Sequence, residues 1–184
     1  MVKAVFLDRD GVINYKAPEN CYVTHWDEMY LYPDVASAIA RLNRAGFRVF
    51  VISNQRCIAK GLITEADLVS LHRRMCDELA RSGAIIDAVY YCPHDTHPPC
   101  TCRKPAPGML LDAARDHQLD LPASWMIGDS DTDIKAGRRA GCKTARLQSV
   151  DAPCAADVLA ASLTEAVDRI LDYDRSTIFT HEIS

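Results

Sequence analysis

Asp8-Arg9-Asp10-Gly11 directly follows the apolar run Ala4-Val5-Phe6-Leu7. Two carboxylates two residues apart at the end of a short buried strand suit nucleophilic and acid–base work, or the holding of a metal. Asp and Gly are also turn residues, so the pair taken alone equally describes a strand-to-loop turn. Three more polar groups follow later apolar runs: Ser53-Asn54-Gln55, the segment from Cys92 to Lys104, and Gly128-Asp129 with Asp131 and Asp133. Parallel strands would bring all four ends to one edge of a sheet, where open α/β sheets bind their ligands. Carboxylates gathered there repel and raise one another's pKa unless a cation neutralises them. A hard ion with oxygen ligands, Mg²⁺ above all, meets that need. The Ser53 hydroxyl and the Lys104 cation are groups suited to holding a phosphate beside it. Asp129, considered singly, reads equally well as a helix cap.

A second constellation is Cys92-Pro93-His94 with Cys100-Thr101-Cys102: three thiols and an imidazole within eleven residues. A Cys₃His set suits tetrahedral Zn²⁺, and it leaves no coordination position open, so the expected role is structural. The spacing is unlike that of a zinc finger, and composition with local density carries the expectation. His97 competes for the fourth place, but it stands between the pairs with no cysteine beside it, and His94 is preferred. A disulfide between Cys100 and Cys102 would be strained by their short separation. Cys21, Cys57, Cys76, Cys142 and Cys154 read as buried or reactive thiols outside the set.

The elements that must position these groups follow from periodicity. Apolar runs at Lys3–Leu7, Arg48–Ile52, Ala88–Tyr91, Trp125–Ile127 and Thr144–Leu147 predict strands, with a weaker one near Asp157–Leu159. Between them, Val35, Ile39 and Leu42 share a helical face that Gly46 closes, and Leu68, Leu71, Met75 and Leu79 share another behind the N-cap Thr64. Further helices are expected over Pro107–Gln118, Thr132–Ala140 and Leu163–Leu171, and a loose tail from Asp174 onward. This alternation predicts βαβ units and a mostly parallel sheet. One domain over residues 1–174 is expected, with a metal loop at 92–102.

Composition narrows the function class. With 184 residues, 48% hydrophobic and 25% charged, the chain has the make-up of a soluble globular protein, and its net charge of −4 gives no basic footprint for nucleic acid. No apolar stretch approaches the about 20 residues that span a bilayer. The first strand begins at once and leaves no room for a signal peptide, so a cytoplasmic protein is expected. In a reducing compartment eight cysteines point to metal more than to disulfides.

Asp8-Arg9-Asp10-Gly11-Val12-Ile13-Asn14, Ser53-Asn54-Gln55, Arg103-Lys104-Pro105 and Gly128-Asp129-Ser130-Asp131-Thr132-Asp133 together resemble, in order and spacing, the four motifs of the haloacid dehalogenase superfamily of phosphatases. The resemblance covers residues 3–148, with Leu163–Leu171 similar to the family's last helix. It implies a Rossmann-like three-layer α/β/α fold without a large cap domain. It also implies Asp8 as nucleophile and Asp10 as general acid and base. Mg²⁺ would be held by Asp8, the Asp10 backbone carbonyl and Asp129. Ser53 and Lys104 would bind phosphoryl oxygens, and Asp133 would support the metal or Lys104.

The Cys-Pro-His…Cys-x-Cys-Arg-Lys-Pro segment resembles the compact branch that includes heptose bisphosphate and histidinol-phosphate phosphatases. The loops Asn54-Gln55, Ile58–Gly61 and Tyr22-Val23 look more like the heptose type. That implies removal of the 7-phosphate of D-glycero-D-manno-heptose 1,7-bisphosphate, in nucleotide-activated heptose and lipopolysaccharide-core biosynthesis, by a monomer. Histidinol phosphate or another small phosphosugar is the alternative substrate, and a non-catalytic phosphosugar-binding module a more distant one. Arg56-Cys57 departs from the usual Ser-Gly, Ser130 stands where lysine is common, and Lys16–Asn20 is slightly long. Arg56 reads equally as a grip on a distal phosphate, replacing the missing lysine charge, and as a solvated surface arginine on a loop; Asn54, Gln55, Arg103 and Ser130 are further expected substrate contacts.

Overall fold

The computed structural model describes residues 2–147 and 155–181. Six strands form one parallel sheet: β1 (Ala4–Leu7), β2 (Arg48–Asn54), β3 (Ala88–Cys92), β4 (Trp125–Gly128), β5 (Lys143–Leu147) and β6 (Val158–Ala160). Their spatial order is β3-β2-β1-β4-β5-β6. Among the described residues five α-helices connect or follow them: α1 (Val35–Arg44), α2 (Glu65–Arg81), α3 (Gly108–His117), α4 (Asp131–Ala140) and α5 (Leu163–His181).

The period-2 alternation of β1 divides the core. Val5 and Leu7 pack with Val35, Ile39 and Leu42 of α1, Leu68 and Met75 of α2, and Val167 and Ile170 of α5. Ala4 and Phe6 face the other way, against Met109, Leu110 and Ala113 of α3 and Ala136 of α4. Helices thus cover both faces, and the strands between them carry the continuous apolar runs that a doubly buried parallel sheet demands. The architecture is the three-layer, Rossmann-like one expected.

Strand order reverses between β1 and β4. Crossovers leave these two neighbours in opposite directions, so a crevice opens beyond their C-terminal ends. Asp8 and Asp10 follow β1 and Asp129 follows β4, so the carboxylates lie at this switch point.

Two boundaries differ from the sequence expectation by more than one residue. β2 runs on to Asn54, which makes Ser53 and Asn54 strand residues paired with Tyr91 and Cys92 of β3. α5 continues to His181, where a loose tail was expected from Asp174. Its extra turns are anchored: Lys3 Nζ pairs with Asp174 at 2.7 Å, and the Tyr173 ring meets Trp125 edge-on at 5.5 Å. Cys154 and residues 182–184 lie outside the described residues.

Candidate active site

Lys104 sits at the centre of the switch point. Its ammonium lies 2.8 Å from Asp8 Oδ1 and 2.6 Å from Asp133 Oδ1, and it donates to the Ile52 carbonyl at 2.7 Å. The side chain is 2% exposed and that of Asp133 not at all. A buried cation is held only where anions and acceptors satisfy it, and here two carboxylates and a strand-end carbonyl do so. The loop that delivers Lys104 is clamped to β2 by a reciprocal amide pair: Lys104 N–H donates to Asn54 Oδ1 at 3.0 Å and Asn54 Nδ2 to the Lys104 carbonyl at 3.1 Å.

Asp8 closes the end of β1, with its N–H donating to Ile127 of β4. Its Oδ1 accepts from the Arg9 N–H at 2.7 Å as well as pairing with Lys104. Burial pushes its pKa up to about 7; Lys104 opposes the rise, while Asp133 and Asp10 add to it. Asp129 is also raised by burial, although Lys16 pairs with its Oδ2 and works against this. Its Oδ1 is buried with no hydrogen-bond partner among the described residues.

One oxygen each from Asp8, Asp129 and Asp133 lie within 4.8 Å of one another. Neighbouring backbone makes room for them. A Cβ on Gly11, whose φ is +95°, would strike the Asp129 carboxylate, and a Cβ on Gly128 would strike that of Asp133.

Asp10 is held differently. Arg9 Nη2 and Asn14 Nδ2 each donate to its Oδ1 at 2.9 Å, and Gln55 Nε2 donates to Oδ2 at 3.2 Å. Burial alone would raise its pKa, but the Arg9 charge with the hydrogen bonds from Arg9, Asn14 and Gln55 holds it below the usual carboxylate range. The two neighbouring carboxylates therefore shift in opposite directions, and a cation held between Asp8 and Asp129 would oppose the rise at Asp8. Gln55 also donates to Ser53 Oγ at 2.6 Å, linking the β2 end to Asp10. A cleft of about 280 Å³ opens over Asp10, between Gln55 and the segment from Lys16 to Val23.

Cys92, His94, Cys100 and Cys102 also converge, their ligand atoms within 4.8 Å of one another. Cys92 Sγ is 3.2 Å from Cys102 Sγ and 3.6 Å from Cys100 Sγ, and His94 Nδ1 is 3.2 Å from Cys102 Sγ. All three thiols are free, and His97 is not in the group. The thiols shift against one another: despite burial, the Arg103 N–H and the neighbouring thiols and imidazole bring Cys100 down to about 6, while burial and the other two thiols push Cys102 up to about 12.

The remaining expected contacts lie around this centre. Ser130 N–H and Oγ donate to Asp133 Oδ2 at 3.0 and 2.6 Å, which caps α4 and orients Asp133. Arg103 Nη1 donates to the His94 carbonyl at 3.3 Å and lines a cavity of about 500 Å³ with Asn54, Lys104 and Arg139. Arg56 Nε pairs with Asp95 of the cysteine loop at 2.6 Å. Sequence reasoning assigned no role to Arg9, Asn14 or Lys16, which contact the carboxylates, or to His72, which contacts Arg9. A signal for Arg9 exists: a charge between two aspartates at the end of a buried strand has little access to water.

The HAD-hydrolase-like family model matches residues 101–166. The D-glycero-β-D-manno-heptose-1,7-bisphosphate 7-phosphatase of Rhodopseudomonas palustris is 43% identical over 155 residues, 80% of this chain and 84% of that protein. Its counterpart from Bordetella bronchiseptica is 40% identical over 141 residues, 77% and 78% of the two chains. The crystal structure of D,D-heptose 1,7-bisphosphate phosphatase from B. bronchiseptica, complexed with magnesium and phosphate, superposes with a TM-score of 0.84 at 34% identity, covering 93% of this chain and 99% of that one. The corresponding enzyme from Burkholderia thailandensis gives 0.67 at 30%, over 92% and 98%. The chain belongs to the haloacid dehalogenase-like hydrolases, in the family of the heptose-1,7-bisphosphate 7-phosphatases.

Proposed function

We propose that this chain is a Mg²⁺-dependent phosphatase that removes the 7-phosphate of D-glycero-β-D-manno-heptose 1,7-bisphosphate. The observation that carries the reading is the buried Lys104 bridging Asp8 and Asp133 beside an unpartnered Asp129 oxygen. Asp8, the Asp10 backbone carbonyl and Asp129 would hold Mg²⁺. A buried carboxylate oxygen without a donor, in an oxygen-only set, fits a hard divalent ion. When bound, the ion neutralises charge on the transferring phosphoryl group.

The chain's own groups divide the remaining work. Both protein contacts of Asp8 fall on Oδ1, which leaves Oδ2 as the oxygen that attacks phosphorus. The bond from phosphorus to the sugar oxygen breaks, and the alkoxide takes a proton from Asp10. Asp10 then removes a proton from water, which attacks the aspartyl-phosphate and releases Asp8. The incoming phosphate's negative charge opposes Arg9 and raises Asp10 toward its acid role, while its resting ionised state suits the base role. Ser53 donates to a phosphoryl oxygen, and Lys104, whose three donors rest on Asp8, Asp133 and Ile52, turns one of them to a second while Asp133 keeps it in place. Asn54, Gln55 and Arg103 line the clefts beside this centre, Ser130 orients Asp133, and Arg56, turned to Asp95, braces the cysteine loop instead of gripping a distal phosphate.

Zn²⁺ on Cys92, His94, Cys100 and Cys102 would tie down the loop that ends at Arg103-Lys104. Thiol ligands and a phosphorylated sugar substrate favour a reducing, cytoplasmic setting. One continuous sheet with α5 packed on it supports a single domain that extends beyond the expected end at 174, to His181, and works as a monomer without nucleic acid or membrane. Among the described residues no helix is long and apolar enough to cross a membrane.

The test is kcat/KM, with and without Mg²⁺, on both anomers of the heptose bisphosphate, on histidinol phosphate and on fructose 1,6-bisphosphate. The β anomer of the heptose is expected to lead. Preference for histidinol phosphate would replace the substrate assignment, and no Mg²⁺-dependent turnover of any ester would remove the enzyme reading.

A further inference from the structure

Arg9 lies wholly inside the protein, at 1% exposure, and no step above uses its side chain directly. A guanidinium cannot shed its charge, so burying it is costly unless its donors are engaged. Nη2 donates to Asp10 Oδ1 at 2.9 Å, and Nη1 lies 3.1 Å from Nε2 of His72, on α2. Arginine offers donors only, so Nε2 must be the acceptor and the ring must be neutral, with its proton on Nδ1. Nδ1 is buried and has no partner. The ring is therefore kept in place by packing, with the Tyr91 ring 5.7 Å away, and its one polar contact is Arg9. Burial and the Arg9 charge push its pKa down to about 3, in keeping with a neutral acceptor.

We infer that His72 and Arg9 are positioning residues for Asp10: His72 Nε2 fixes the guanidinium, and the guanidinium fixes the carboxylate against the leaving oxygen. The division of donors on Asp10 supports this. Oδ1 receives both Arg9 and Asn14 at 2.9 Å, whereas Oδ2 has the longer 3.2 Å contact from Gln55. Oδ1 is thereby anchored, and Oδ2 is the oxygen that carries the moving proton. Nε already lacks a partner among the described residues, so without the acceptor on α2 Nη1 would join it and Asp10 Oδ1 would be the guanidinium's remaining anchor, leaving Asp10 without its fixed orientation.

This rests on the assignment of Asp10 as acid and base. The experiment measures kcat/KM for the heptose bisphosphate, whose alkoxide needs a proton, and for p-nitrophenyl phosphate, whose leaving group does not. Wild type, His72→Phe, His72→Gln and Asp10→Asn are compared, with thermal unfolding of each. For His72→Phe the ratio of the two kcat/KM values is expected to fall about 10-fold, a part of the 10²–10⁴ typical of general acid catalysis. His72→Gln, whose amide oxygen can accept from Arg9, is expected to restore most of it. Equal losses on both esters, no loss, or no recovery with Gln would overturn the inference. An Asp10→Asn ratio unchanged from wild type would instead remove the assignment of Asp10. Should His72→Phe fail to fold, ¹⁵N shifts of the wild-type ring decide: protonation at Nδ1 upholds the contact, and protonation at Nε2 overturns it.

Discussion

Replacing Lys104 by Met tests how the catalytic centre is held together. The substitution keeps much of the side chain's length and removes its charge. It strands Asp8, 2.8 Å away, and Asp133, 2.6 Å away, as buried anions facing each other, and it leaves the Ile52 carbonyl without this donor. Breaking a buried pair from one side costs about 3–5 kcal/mol, against about 0–1 kcal/mol for a surface pair. In a domain of this size 1 kcal/mol shifts Tm by about 2–4 °C, so a fall of roughly 6–20 °C is expected in Mg²⁺-free buffer. Mg²⁺ restores part of the missing positive charge, so it should stabilise Lys104→Met more than wild type. Urea unfolding and calorimetry, each with and without Mg²⁺, read both effects. A loss below about 1 kcal/mol, or equal stabilisation by Mg²⁺ in the two proteins, would refute the view that Lys104 is the counter-ion of the carboxylate cluster.

Other consequences are equally direct. Gly128→Ala places a methyl group on the Asp133 carboxylate, so it should cost about 1–3 kcal/mol and lower kcat/KM together, measured by unfolding and phosphate release. Removing Zn²⁺ with a chelator, or making Cys100→Ser, should free the loop before Lys104, lowering both Tm and turnover; recovery with Mg²⁺ alone would contradict a structural zinc. His72 is neutral when folded, with a pKa near 3, and titrates near 6.5 when unfolded. The unfolded chain thus binds the extra proton, and stability is lost as pH falls from about 6.5 toward 3. At pH 5 this amounts to about 2 kcal/mol. The stability difference between His72→Phe and wild type should therefore move in the variant's favour by that amount from pH 8 to pH 5, and a difference independent of pH would exclude it.

What the sequence disclosed follows from the range of the interactions. Local signals were sufficient for the strands, since Val5, Phe6 and Leu7 are all buried and Gly11 turns the chain where the carboxylates begin. Parallel order then brought Asp8 and Asp129 to one crevice, because chain ends in such a sheet converge. The cysteine group was legible for the same reason: its members lie within eleven residues. Contacts across long separations were not. Arg9 reaches His72 across 63 positions, Asn54 clamps Lys104 across 50, and Arg56 finds Asp95 across 39. Nothing near Arg56 in sequence reveals that it points to the cysteine loop. The end of α5 was hidden for a related reason. Asp172, Asp174 and Arg175 interrupt the apolar period, while the contacts that hold those turns come from Lys3 and Trp125.

The central claim is that Asp8 takes the phosphoryl group from the substrate. Acid quenching of Asp10→Asn during turnover of p-nitrophenyl phosphate, whose leaving group needs no proton, followed by peptide mapping, tests it most directly, since this variant still forms the intermediate and slows its release. One phosphoryl group on the peptide containing Asp8, absent in Asp8→Asn, is the result expected. A phosphoryl group on another residue, or undiminished phosphate release by Asp8→Asn, would contradict the account.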